Sequence, residues 1–224
     1  MSRQGRDSTG KGRRRKVPRA ARERQMLDMA TRVFGERGYH ATSMDEIARA
    51  CGVTKPMLYA YFGSKDGLFL ATVDRTGKAL VSAVDRLLGE PDAVQRLRQG
   101  VDVILEFIRA DRHSWEVLYA EGLGQGPVAK RVGQYRERIV QAAAITLVDA
   151  VPGSSMKQAE PYAVGLIGAG EAVARWWLDH PDLPFAKMNL MARHIVEAVL
   201  AAYRAQVAPR PARSARAAAE TLTT

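Results

Sequence analysis

The stretch from Thr42 to Leu68, TSMDEIARACGVTKPMLYAYFGSKDGL, leaves the backbone few choices. Met44, Ile47, Ala48 and Cys51 recur at i, i+3, i+4 and i+7, a spacing that puts apolar side chains on one helix face. Ser43 followed three residues later by Glu46 makes a capping-box start, and Gly52 is the residue type best suited to stop that helix. Thr54, with Pro56 in the first turn, starts another helix at once. Two short helices separated by a glycine turn describe a helix-turn-helix.

On the second of these helices Leu58 and Phe62 point nearly the same way and must face a core, so Pro56, Met57 and Ala60 lie opposite, flanked by Tyr59 and Tyr61. That outward face suits a DNA major groove better than bulk solvent. Ala60 permits close approach, Pro56 and Met57 can meet thymine methyls, and Lys55 reaches guanine O6/N7. The tyrosines are long enough to bond flanking phosphates. Ser64 reads as the N-cap of the next helix, which places Lys65 at its first position, where the helix dipole disfavours a cation. A lysine set against that preference beside free backbone N–H groups points to a phosphate site.

These residues, together with Leu27, Ala30, Phe34, Gly38-Tyr39, Val53 and Leu68, resemble the DNA-binding domain of the TetR-type transcriptional regulators. The resemblance implies that Thr42, Tyr59 and Lys65 bind phosphate, while Lys55, Pro56, Met57, Ala60 and Tyr61 belong to the base-reading helix, with operator choice residing in Met57 and Ala60. Ser43 and Thr54, which open the two helices, complete the expected DNA-binding set. Simpler roles exist for several of them: Thr42 as a cap, Tyr59 as cover for the core edge, Lys65 as a solvated charge. Cys51 fits a small core residue better than a redox sensor.

Charge is concentrated at the ends of the chain. The formal net charge is +10, but residues 1–24 hold ten Lys and Arg against Asp7 and Glu23, and residues 208–224 hold three Arg against Glu220, which leaves the body neutral. Residues 1–17 have almost nothing to bury and are expected to form a disordered basic arm, with Arg13, Arg14, Arg15 and Lys16 over phosphates or in a minor groove, or simply solubilising. Residues 208–224 are expected to form a disordered tail. A lone cysteine excludes an internal disulfide framework and suits a reducing cytosol. No apolar run reaches membrane-spanning length and no signal peptide is evident, so the expected location is cytoplasmic and no membrane partner is expected.

The remaining chain carries helical periodicity at about 65–88, 92–111, 114–121, 127–151, 157–180 and 184–206, with no period-2 strand pattern. The expectation is an all-α chain of about nine helices. Residues 18–64 would form a three-helix DNA-binding domain, and 65–207 a helical ligand-binding and dimerisation domain whose first helix, 65–88, is the linker. Gly77 is expected only to weaken the middle of that linker. The last two long helices are apolar on nearly every side and need a neighbour on each. A second copy of the chain is the simplest one, with Gly165, Gly168, Ala169 and Gly170 permitting close approach, and the resemblance implies the same homodimer. Trp177, Met188, Met191, Ile195 and Val199 are its expected interface.

Phe107, Trp115, Leu118, Tyr119, Tyr135 and Trp176 are the candidates for a small-molecule cavity, or else ordinary core. The histidines lack metal-ligand spacing, no cofactor motif is present, and no triad or phosphate loop points to catalysis. The function expected is that of a sequence-specific regulator, in this family most often a repressor, which binds a pseudo-palindromic double-stranded operator as a homodimer and is released by a small-molecule effector. The competing possibilities are a ligand-independent DNA-organising or partner-recruiting protein, and an enzyme built on the C-terminal domain.

Overall fold

A computed structural model of the chain describes residues 18–119 and 126–208. These residues form nine helices and no strand. In order they are α1 (Arg19–Ala41), α2 (Met44–Cys51), α3 (Lys55–Phe62), α4 (Lys65–Leu87), α5 (Ala93–Ala110), α6 (Arg112–Leu118), α7 (Pro127–Ala150), α8 (Met156–Leu178) and α9 (Phe185–Val207). The expected basic arm, with Arg13, Arg14, Arg15 and Lys16, and the expected tail from 209 onward lie outside the described residues.

Local chemistry explains the short helices. At α2 both halves of the capping box form: the Glu46 N–H donates to Ser43 Oγ at 3.2 Å, and the Ser43 N–H donates to Glu46 Oε2 at 2.9 Å. Gly52 ends the helix in the left-handed region at φ 62°, where a side chain would be strained. α1 breaks its regular geometry at Gly38, whose φ is 77°. The first helices then close over Met26, Leu27, Ala30, Phe34, Ile47 and Leu58. The same core continues along α4 through Leu68, Phe69, Val73 and Leu80 to Val117, Leu118 and Ile139, with no break at residue 64.

α6 lies between the DNA-binding end and the body. Asp111 caps it, accepting from the His113 and Ser114 N–H groups at 3.0 and 3.3 Å. Its outer side meets α1 so closely that a Cβ on Gly35 would stand 2.7 Å from His113 Cα. The body itself is built on two further clusters. One, around Leu97, Leu147, Ala163, Val196, Leu200 and Tyr203, joins α5, α7, α8 and α9. The other gathers Leu105, Ile108, Trp115, Ala174 and Met188.

One glycine expectation needs correction. Gly77 is a packing glycine: a Cβ there would lie 2.4–2.7 Å from the Tyr135 ring. Gly165 and Gly170 meet no described atom of another element within 4 Å of such a Cβ, and Gly168 meets only Arg136 Nη2, at 3.9 Å. Within the chain, the absence of a side chain makes room at Gly35 for α6 against α1 and at Gly77 for the Tyr135 ring of α7 against α4.

Candidate functional site

The geometry of α3 follows from its one fully buried residue. Leu58 is 0% exposed, which anchors the helix on the core and leaves Lys55, Pro56, Tyr59 and Ala60 outward. Tyr59 is 43% exposed although it is a large aromatic. Thr54 takes the N-cap position without a side-chain hydrogen bond, so its hydroxyl is not used in capping α3. Ser43, also exposed, uses its hydroxyl as the α2 cap. Lys55 Nζ donates to Asp45 Oδ2 at 2.8 Å; that hydrogen bond and the carboxylate's charge raise the lysine pKa and fix the ammonium at the edge of the face.

Three placements differ from expectation. Thr42 is buried at 3% exposure and its hydroxyl donates to the Gly38 carbonyl at 2.8 Å, so its proton is already used in closing α1. Tyr61 is half-buried against the core, with the Arg19 guanidinium 5.0 Å from its ring centroid. Met57 is half-buried too, and its sulfur accepts a weak contact from Arg22 at 3.9 Å. Arg19 and Arg22, from the start of α1, thus frame the α3 face. Sequence periodicity did not single them out, because in one dimension they merge with the basic run before them.

Lys65 extends over the Tyr39 ring at 4.4 Å and reaches the His40 carbonyl at 3.4 Å. Tyr39 donates to Asp66, and this bond, with burial, pushes its pKa up to about 12. Cys51 donates to the Met26 carbonyl at 3.8 Å, and burial pushes its thiol up to about 11, which makes the reactive thiolate scarce at neutral pH.

The body holds a largely apolar cavity that is partly open to solvent. Its wall takes in the end of α4, one face of α5, and parts of α6, α7, α8 and α9. Of the six residues expected there, Trp115 and Tyr119 line it, their rings stacked at 3.8 Å. Leu118 and Tyr135 line a smaller crevice beside it, and Phe107 packs against the core. Trp176 stands outside, 45% exposed and stacked on His180 at 4.1 Å. Its neighbour Trp177, expected at the dimer face, is turned inward and donates from Nε1 to the Leu183 carbonyl at 3.1 Å. One residue is a 100° step on a helix, and the two tryptophans exchange places.

The other expected interface residues divide in the same way. Met188 is 1% exposed and belongs to the chain's own core, Ile195 lines the cavity, and Val199 is half-buried. Met191 is 46% exposed, and the outward face also carries Val164, Trp176 and Leu190, which were not expected there apart from the general apolar character of both helices. Two charged residues line the cavity. Glu171 accepts both arms of Arg136, at 2.7 and 3.1 Å. Arg96 donates to Asp149 at 2.8 Å. Sequence reasoning missed Arg96; its only signal is a charge in register with Ala93, Leu97 and Gly100 on an otherwise apolar face.

Among the described residues no group of three or more His, Cys, Asp or Glu is placed to hold a metal. None of the described helices is long and apolar enough to cross a membrane.

Comparison with known proteins agrees with this geometry. Residues 26–72 match the bacterial regulatory proteins of the tetR family, and residues 94–198 match the tetracyclin repressor-like C-terminal domain. The HTH-type transcriptional activator FasR of Mycolicibacterium smegmatis is 37% identical over 184 residues, which cover 81% of this chain and 83% of FasR. The crystal structure of a TetR-like transcriptional regulator from Rhodococcus sp. RHA1 superposes with a TM-score of 0.72 at 36% identity, over 83% of this chain and 99% of that one. The regulator FadR of Bacillus subtilis, solved in complex with stearoyl-CoA, shares the fold at 15% identity, with a TM-score of 0.66 over 79% of this chain and 97% of that one. A helix-turn-helix domain joined by one long helix to an all-α body defines a DNA-binding transcriptional regulator. The chain belongs to the TetR family.

Proposed function

We propose that this regulator reads a pseudo-palindromic operator with two copies of α3 and leaves it when a largely apolar small molecule fills the body cavity. The observation that carries the proposal is the exposed face of α3 itself: Lys55, Pro56, Tyr59 and Ala60 point outward from a helix fixed by a wholly buried Leu58. Pro56 and Ala60, with Met57 at the edge, meet base edges, and Lys55 supplies the donor for guanine. Tyr59 and Lys65 bind the backbone, joined by Ser43 and Thr54 at the helix starts. With the Thr42 hydroxyl committed to Gly38, Thr42 acts through its position rather than by donating that proton.

The division of labour is residues 18–64 for the operator and 65–207 for effector and partner, in a cytoplasmic protein. Two-fold symmetry comes from a second copy packed on the apolar face of α8 and α9 that carries Val164, Trp176, Leu190 and Met191, large side chains left exposed in the single chain. Switching works through two routes from the cavity to α3. α4 has Val84 and Leu87 in the cavity wall and Leu68 and Phe69 in the DNA-binding core, and α6 has Trp115 in the wall and His113 against Gly35. An effector that moves the population from mostly competent to mostly incompetent must prefer the second state by about 5 kcal/mol.

The sign of regulation has a second reading. FasR, at 37% identity, is named an activator, and the same DNA-binding geometry activates where the operator lies upstream of a promoter and represses where it overlaps one. The test is to select operator DNA from genomic fragments at moderate salt, then measure transcription from that promoter with and without the protein. Fragments with no shared palindrome, lost steeply as salt rises, would remove the operator reading and favour a DNA-organising role.

A further inference from the structure

We infer that Asp45 is a specificity-determining residue: its carboxylate holds the Lys55 ammonium back from phosphates and turns it toward guanine edges. This deepens the operator proposal and rests on it. Asp45 stands in the first turn of α2 with its side chain 61% exposed, and its Oδ2 accepts from Nζ of Lys55, the first residue of α3, at 2.8 Å. A carboxylate on a surface that a polyanion must approach opposes binding. The helix does not require it there. Glu46, the next residue, already accepts from the Ser43 N–H at 2.9 Å and sets a negative charge in the same first turn.

A lysine without a counter-charge goes to the nearest phosphate, because a compact ammonium on a flexible stem is drawn by charge and brings no directional fork of its own. The pair with Asp45 changes this in two ways. Its net charge is zero, so the pull of the phosphates on Lys55 is offset by their repulsion of Asp45. One of the three ammonium N–H groups is also taken, which leaves two for the two neutral acceptors of guanine, O6 and N7. An exposed pair of this kind is weak in water, so it biases Lys55 without locking it.

Lys65 supplies the contrast. Its ammonium meets neutral groups, the His40 carbonyl at 3.4 Å and the Tyr39 ring at 4.4 Å. Asp66, its neighbour in sequence, accepts from the Tyr39 hydroxyl. The two lysines of the operator set are thus sorted by what they touch: Lys65 keeps its charge for the backbone, and Lys55 is spent on a carboxylate and left with donors for a neutral base edge.

The experiment uses the full-length protein with two duplexes of equal length, the operator selected from genomic fragments and a random sequence, each titrated over a salt series. In Asp45→Asn, Lys55 is released to a phosphate. Affinity for random DNA should rise about tenfold per site at about 0.1 M salt, and log affinity should fall more steeply with log salt, by about one per site. The operator's advantage over random DNA should shrink by a similar factor, while Asp45→Glu, which keeps the carboxylate, should retain most of it. Removing any negative charge from a DNA-facing surface strengthens binding to some degree, so the decisive variant is Asp45→Asn combined with Lys55→Met, in which the gain on random DNA should vanish. A gain that persists in the double variant, an operator advantage untouched in Asp45→Asn, or an Asp45→Glu that behaves as Asp45→Asn would each overturn the assignment while leaving the operator reading intact. Wild-type protein that prefers no genomic duplex over random DNA would overturn the operator proposal and this inference together.

Discussion

Gly35 of α1 lies directly against the backbone of His113 in α6, so close that a methyl group at position 35 would sit 2.7 Å from His113 Cα and 2.8 Å from its carbonyl oxygen. Backbone cannot move aside as a flexible side chain can. Gly35→Ala should therefore lower stability by about 1–3 kcal/mol, the usual penalty of overpacking, although alanine is the better helix former. Denaturant melts would check it. An unchanged midpoint would mean that α6 yields freely to α1, which would remove it as a route from cavity to DNA.

Gly77 poses the same conflict between α4 and α7. A Cβ there would come within 2.4 Å of the Tyr135 ring, whose hydroxyl donates to Asp74 at 3.0 Å and is held in place. Gly77→Ala should lose about 1–3 kcal/mol by the same mechanism. The paired change Gly77→Ala with Tyr135→Leu should recover much of that loss, and failure to recover it would place the strain elsewhere.

Lys65→Ala should weaken binding to every DNA sequence about equally and flatten the dependence of log affinity on log salt by about one per site. Substituting Ala60 with a larger residue should instead change which operator is preferred, because it acts on base edges. Titrations of one operator and of random DNA over a salt series separate the two behaviours. A sequence-selective effect of Lys65→Ala would remove it from the phosphate contacts.

Trp176 and Trp177 should respond oppositely to truncation. Trp176→Ser is expected to weaken self-association more than tenfold, as loss of a large aromatic from an interface does, while the monomer keeps its helix content. Trp177→Ala removes a ring that packs near Phe185 and bonds the Leu183 carbonyl, and should destabilise the fold by about 3 kcal/mol. Sedimentation and circular dichroism read the two effects separately. Unaltered self-association in Trp176→Ser would put the second copy on another face.

Tyr39 gives a pH signature. Its bond to Asp66, the largest cause, together with burial and the charge of that carboxylate, raises its pKa to about 12. An unfolded tyrosine titrates near 10, so the folded value is the higher one and the neutral phenol is favoured by folding. The stabilisation is full below about pH 10 and is lost as pH rises from there to about 12. Unfolding midpoints of wild type and Tyr39→Phe should differ at about pH 8 and converge toward pH 12. A constant difference would mean that the hydroxyl contributes nothing that titrates.

Much of the DNA-binding end was legible because its signals are local. Ser43, Glu46, Gly52 and Leu58 each act within a few residues, through caps, a left-handed turn and a 3.6-residue period, and all four stand where those rules put them. The body was legible only as helices. Which of Trp176 and Trp177 faces inward depends on helix rotation, and that is set by distant neighbours such as Leu183 and Phe185 rather than by apolar residues found on every side. Arg96 escaped notice for a related reason: its partner Asp149 is fifty-three positions away, and only the packed fold brings α5 and α7 together. Gly77 looked like a weak point because the tyrosine that requires it lies on another helix.

The helix that bridges the two ends of the molecule has only seven residues. Free helices of fewer than about twelve residues hardly persist in water, so α6 owes its winding to Asp111 at its start, α1 on one flank and the cavity wall on the other. Two of those supports belong to different jobs. Undocking either one removes part of what keeps the two turns wound, and the helix is at its most stable only when both are in place. Slow amide exchange from Trp115 to Leu118 would then record a conjunction, the DNA end seated and the cavity wall closed at once, within a single short segment of the chain.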